Sequence, residues 1–206
     1  MNKFLYFAIV ILTLSISSCS TSQVIVPLSE SAVIEDTYTI IWNGSSEAYR
    51  YVDGNWQRDA SYDYVFDVVQ KRYGKTWKST KSLHRLHPDY DGKAGERSQA
   101  MYFELDYELK GDQLACTLQS SLGSGQGKSD REFRKQTLEF AAEDVSSLAP
   151  YNWFRITQNY DYEAGVLTET VELFKLKDGK EIPFMKNEEK AFFYVKGRLE
   201  DAPTKL

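Results

Sequence analysis

The chain has little cysteine and little histidine: 206 residues carry two of each. Two cysteines exclude a disulfide framework, and two histidines leave few nitrogen ligands for a transition metal. Positive charge is not in excess either, with 25 Lys and Arg against 30 Asp and Glu and a net charge of −5. That balance argues against nucleic acid, whose phosphates demand a basic surface, and against charge-driven attachment to an anionic bilayer. The longest apolar run, residues 4–14, is too short to cross a hydrocarbon core as a helix, which takes about 20 residues. What the chain has in plenty is aromatic residues, 14 Tyr, 11 Phe and 4 Trp.

The amino terminus has the parts of an export leader: Lys3, the apolar run, then small residues ahead of Cys19. Ile16-Ser17-Ser18-Cys19 resembles the lipobox of bacterial lipoproteins. The resemblance implies a diacylglyceryl group on the Cys19 sulfur, cleavage before that residue and acylation of the new amino terminus. Two or three acyl chains suffice for stable anchoring. Ser20 stands where an aspartate retains enterobacterial lipoproteins in the inner membrane. The expected location is therefore the bacterial cell envelope, on the outer membrane, with either leaflet open. The expected organisation is a signal peptide over 1–18, a lipidated tether over 19–35, one β-rich domain over 36–200 and a polar tail over 201–206.

With Cys19 lipidated, Cys116 has no partner within the chain. Leu114, Cys116 and Leu118 alternate as one face of a strand, which makes Cys116 a buried core thiol.

Beyond the tether, where Val24, Ile25 and Val26 can add an edge strand, the period is two. Tyr38, Ile40 and Trp42 share a face and stop at Asn43-Gly44, a strong hairpin signal; a second run stops at Asp53-Gly54. Tyr62, Tyr64, Phe66 and Val68 alternate up to Tyr73-Gly74. Met101, Phe103, Leu105, Tyr107 and Leu109 alternate with Glu104, Asp106 and Glu108 before a turn at Gly111. Further strands are expected over 153–162, 166–176 and 191–199. Leu138, Ala141, Ala142, Val145 and Leu148 fit a short helix ended by Pro150, and a strand over 137–141 competes with it. The fold class is all-β with room for one short helix, an antiparallel β-sandwich or a partly closed β-barrel.

Candidate chemistry is sparse. Gly123-Ser-Gly-Gln-Gly-Lys-Ser129 has a P-loop flavour, but Leu122 stands where that motif needs its first glycine, and a flexible loop is expected. His84 and His87, with Asp89, Asp91 and Glu96, are weak metal candidates, since Pro88 breaks a helix there. Asp89-Tyr-Asp91-Gly92 matches only part of a calcium loop and reads as a turn. No cofactor is expected.

Glu104-Leu-Asp106-Tyr-Glu108 resembles the E-x-D-x-E signature of the jelly-roll glycoside hydrolases of the laminarinase and lichenase type. By that resemblance Glu104 is the nucleophile, Glu108 the general acid and Asp106 the residue tuning them. The competing reading is the wet face of an antiparallel sheet. Tyr49, Tyr51 and Trp56, or Tyr151, Trp153, Tyr160 and Tyr162, can make an exposed platform for a glycan or an envelope protein. The leading expectation is a non-catalytic binding or assembly module on a lipid anchor. A lipocalin-like or lipoprotein-carrier-like barrel for an apolar ligand and the glycoside hydrolase are the alternatives.

Overall fold

The computed structural model describes residues 37–92, 96–143 and 151–198. The leader, Cys19, the edge strand expected at 24–26 and the tail at 201–206 lie outside the described residues.

The strands are β1 (Thr37–Val52), β2 (Asn55–Arg58), β3 (Tyr64–Tyr73), β4 (Thr76–His84), β5 (Ser98–Lys110) and β6 (Gln113–Ser120). They continue as β7 (Gly123–Ser129), β8 (Lys135–Ala142), β9 (Trp153–Asp161), β10 (Val166–Lys177) and β11 (Lys180–Arg198), with one 3-10 turn at Ala60–Tyr62. From β3 onward each strand pairs antiparallel with the next, β1 pairs with β3, and β11 returns to pair with β1 from Tyr38 to Arg50. Ten strands thus form a closed antiparallel barrel, and β2 lies outside it, hydrogen-bonded to the end of β1. Of the two all-β alternatives, the barrel is the one realised. Closure removes the exposed sheet edges that an open sheet would present.

Short connections follow from local chemistry. Asp53-Gly54 and Asp178-Gly179 both have positive φ at the two central residues, as a type I′ hairpin requires. The Asn43-Gly44 hairpin does not form. Both residues lie inside β1, and Asn43 Nδ2 donates to Asp67 Oδ1 across to β3 at 2.8 Å. Gly44 is there for a close approach: a Cβ would sit 2.5 Å from the Lys190 carbonyl oxygen and 2.7 Å from Ala191 Cβ, at the seam where β1 meets β11. A register shift at Ile41/Trp42, two residues away, is the kind of bulge that bends a strand around a barrel.

The expected loop at 123–129 is also corrected, because it is strand β7, paired with β6 and β8. Its glycines make room inside. A Cβ on Gly127 would meet Leu138 Cδ2 at 2.5 Å and Cys116 Sγ at 2.9 Å. Residues 137–141 take the strand alternative within β8, and the rest of the competing helix, residues 144–150, lies outside the described residues. Cys116 is buried, as expected, and burial pushes its thiol up to about 12.

Inward side chains gather into two apolar clusters. One includes Trp77, Leu105, Tyr107, Leu118, Phe133, Phe140 and Phe154. The other includes Trp42, Tyr64, Phe66, Leu83, Tyr160 and Leu167. Side-chain hydrogen bonds join them: Tyr107 donates to Gln136, Gln136 Nε2 to Gln158 Oε1 at 2.7 Å, Gln70 Nε2 to Tyr160 at 3.1 Å, and Trp42 Nε1 to Gln70 Oε1 at 2.9 Å. Tyr160 also donates to Gln158 Oε1, at 3.2 Å, which closes the chain. A polar network buried this way is satisfied internally, which is the condition for its being tolerated.

Candidate functional site

Eight strands make a barrel just wide enough for side chains to fill; ten leave space. The space here is a cavity of about 500 Å³. Its wall combines apolar side chains (Phe66, Leu83, Met101, Phe103, Phe140, Phe154) with polar ones such as Gln70, Gln99, Gln136 and Asn187.

One end of the barrel is filled by Phe133, in the turn between β7 and β8. Asp130 shapes that turn by accepting the backbone N–H groups of Arg134 at 2.7 Å and Lys135 at 3.1 Å. Phe133, with φ of 53°, is carried under the barrel and buried. Its ring stacks on Trp77 at 4.6 Å and meets Tyr107 edge-on at 4.9 Å, and the Arg72 guanidinium lies 4.7 Å from its centroid. The Tyr162 hydroxyl donates to its carbonyl at 3.0 Å.

Aromatic residues and arginines ring the other end of the cavity. Tyr62 and Tyr90 meet edge-on at 5.1 Å, with Arg50 over the first ring and Arg85 over the second. Arg50 pairs with Asp59, the Tyr62 hydroxyl donates to Asp91 Oδ1 at 2.6 Å, and Tyr90 donates to Glu96 Oε2 at 3.2 Å. Tyr151 and Phe184 face each other at 5.5 Å on the same rim.

Besides Arg50, Arg85 and Glu96 at the rim, the lining carries three buried charged side chains. Lys81 on β4, Glu169 on β10 and Glu189 on β11 have side chains only 9 %, 6 % and 1 % exposed. Lys81 Nζ lies 2.8 Å from Glu169 Oε1 and 2.6 and 2.5 Å from the two oxygens of Glu189. The Tyr64 hydroxyl donates to Glu189 Oε1, and Gln158 Nε2 donates to Glu169 Oε2. Glu169 and Glu189 stand directly opposite each other in the β10–β11 ladder, where like charges repel.

One ammonium therefore serves two carboxylates, and the two divide unequally. Burial and the negative charge of Glu169 raise Glu189 against the pull of Lys81, to about 8. Burial also works to raise Glu169, but Lys81 and the Gln158 amide outweigh it and hold that carboxyl below its usual range. Burial opposes the charge on Lys81, yet the two carboxylates overcome it and keep the ammonium protonated.

The residues singled out in the sequence fall mostly elsewhere. Glu104, Asp106 and Glu108 lie on the outer face of β5. Glu104 is 3.0 Å from Lys78, and the Tyr102 hydroxyl and that ammonium hold its carboxyl low; Asp106 accepts from Thr76, and Glu108 faces Lys110. The inward positions of β5 belong to Phe103 and Leu105, so no cleft gathers the three carboxylates. His84 is exposed and hydrogen-bonded to Ser98, His87 lies 3.9 Å from the exposed Asp89, and Asp91 is at the rim. Among the described residues, no three His, Cys, Asp or Glu side chains are placed to hold a metal ion.

Tyr49, Tyr51 and Trp56 do come together, outside the barrel on the β1–β2 hairpin. Tyr51 and Trp56 meet edge-on at 5.0 Å, and Lys186 Nζ lies 4.8 Å from the Tyr49 ring and 5.4 Å from Trp56. The second proposed platform does not form, because Tyr160 and Tyr162 point into the core while Trp153 begins the outward set of β9. Lys81, Glu169 and Glu189 were not singled out in the sequence. The signal that could find them is a charge at an inward position of an alternating strand: Trp77-x-Ser79-x-Lys81-x-Leu83, Leu167-x-Glu169-x-Val171-x-Leu173 and Met185-x-Asn187-x-Glu189-x-Ala191.

What fold and site define together is a hollow antiparallel barrel with a buried charged group set into its inner wall. No protein-family model matches this sequence, and neither does any curated protein.

Proposed function

We propose that this protein is a lipid-anchored binding protein of the bacterial envelope whose barrel holds a small ligand with an apolar body. The observation that carries the reading is the cavity. Its volume lies within the roughly 300–1,000 Å³ typical of small-molecule sites, and its wall sets apolar side chains beside polar and charged ones in nearly equal measure. Of the three functions the sequence allows, the carrier barrel is the one that needs such a hollow. The glycoside hydrolase needs Glu104 and Glu108 in a cleft, and both stand on the outer wall. The aromatic cluster on the β1–β2 hairpin is a separate outer surface and is not required for holding a ligand inside.

Two experiments test the reading. Nile red, an uncharged dye that brightens in apolar surroundings, binds the protein saturably. Ser79→Trp, at a small inward position on β4, fills the cavity and weakens that binding by about tenfold or more. Equal binding by both proteins refutes an interior site. For the anchor, Cys19→Ala leaves the leader uncleaved and moves the protein out of the detergent phase on membrane fractionation. Unchanged processing and partition refute lipidation at that sulfur.

A further inference from the structure

We propose, building on the reading that the cavity takes a ligand, that the Lys81–Glu169–Glu189 group recognises a protonated amine, so that the barrel selects amine-bearing amphiphiles over alcohols and carboxylates with the same tail.

Charges and lone pairs decide which head group this site fits. Lys81 has three N–H donors, and its three contacts are with Glu169 Oε1, Glu189 Oε1 and Glu189 Oε2. Nothing on the ammonium is left for an incoming anion. The carboxylates, by contrast, are not full. Two carboxylates offer about eight acceptor positions, and the contacts shown are those three, one from Tyr64, one from Gln158 and one between the two carboxyls. With both ionised, the group also carries one negative charge more than it has positive. A site with spare acceptors and, once both carboxyls are ionised, spare negative charge is complementary to a cationic donor. At this group a carboxylate head would meet repulsion and no free ammonium, the other cations of the lining being Arg50 and Arg85 at the rim, and a hydroxyl would supply one donor without the charge. The tail of such a ligand has Phe66, Leu83, Met101 and Phe103 to lie against.

In the empty barrel a proton supplies the missing positive charge. The titratable groups facing Glu189 are Lys81 from β4, Glu169 from β10 and Tyr64 from β3, with Tyr160 of β9 behind Glu169; Ser46 on β1 is uncharged. Their sum leaves Glu189 protonated until the pH reaches about 8. An ammonium entering the group replaces that proton, so amine binding below that pH releases one proton.

The test uses decylamine, decanol and decanoate as competitors against Nile red. Above about pH 8, decylamine binds about tenfold more tightly than the other two, which is the scale of a charge-assisted hydrogen bond. Its affinity falls about tenfold for each pH unit below that point, while that of decanol stays level. Glu189→Gln, which leaves Lys81 and Glu169 as a balanced pair, removes both the preference and the slope. If decanol or decanoate binds as tightly as decylamine, or if the decylamine affinity does not change with pH, amine recognition is overturned and the cavity reading stands. If none of the three displaces the dye, the cavity reading falls and the amine site falls with it.

Discussion

Lys81→Met lowers the stability of the folded barrel by about 3–5 kcal/mol at neutral pH, measured by denaturant unfolding. The size follows from what remains. Glu169 and Glu189 are directly opposed on β10 and β11, almost wholly buried, and without Lys81 they have no cation between them. Their remaining partners, Tyr64 and Gln158, donate hydrogen bonds but no charge. The triple variant Lys81→Met, Glu169→Gln, Glu189→Gln recovers most of the loss, because removing a whole buried charged group costs far less than stranding part of it. Acidity discriminates further. In Lys81→Met both carboxyls have raised values in the folded chain, so the fold binds protons more readily than the unfolded chain does. Its stability then rises as the pH falls toward the ordinary carboxylate range, and the deficit at about pH 5 is smaller than at about pH 8. A deficit below about 1 kcal/mol, or one independent of pH, contradicts this picture of the group.

Phe133→Ala lowers stability by a similar amount, about 3–5 kcal/mol, by a different mechanism. The ring closes the bottom of the barrel, and its removal takes away the stack on Trp77, the edge contact with Tyr107 and the surface under Arg72 at one stroke. The surrounding strands are joined all the way round, so they cannot collapse into the gap, and a cavity that stays open is the costly case. The backbone adds a signature. Phe133 has φ of 53°, a left-handed conformation that costs a non-glycine residue about 1–2 kcal/mol. Phe133→Gly relieves that strain while losing the same ring, so it is no less stable than Phe133→Ala, the reverse of the order found at most positions. A glycine variant clearly less stable than the alanine variant contradicts the assigned role of the turn.

Much of the barrel was legible in its residues. The alternation of Met101, Phe103, Leu105 and Tyr107 reads directly as β5, and Asp53-Gly54 as the turn into β2, because period and turn chemistry are local properties. Three parts escaped, each because something distant decides it. Asn43-Gly44 has the composition of a hairpin, but the glycine answers to Lys190 and Ala191 across the seam. β7 looks like a loop because Gly125 and Gly127 carry no hydrophobic signal; their smallness matters only beside Phe140, Leu138 and Cys116. β4 is masked by Ser79 and Lys81, polar residues at two of its inward positions. The candidate site was illegible for the same reason. A lysine on one strand and glutamates on two others mean nothing until closure of the sheet brings them within hydrogen-bond distance.

The hollow of this barrel is expected to be occupied in the cell. Native and denaturing mass spectra of the protein isolated from the membrane of the cell that makes it test this directly, because acyl chains on Cys19 survive denaturation and a cavity ligand does not. A small molecule of about one per chain is expected in the native spectrum, absent from the denatured one and absent from Ser79→Trp. Native spectra of the two proteins that show the same ligand-free mass, apart from the substitution itself, would contradict it.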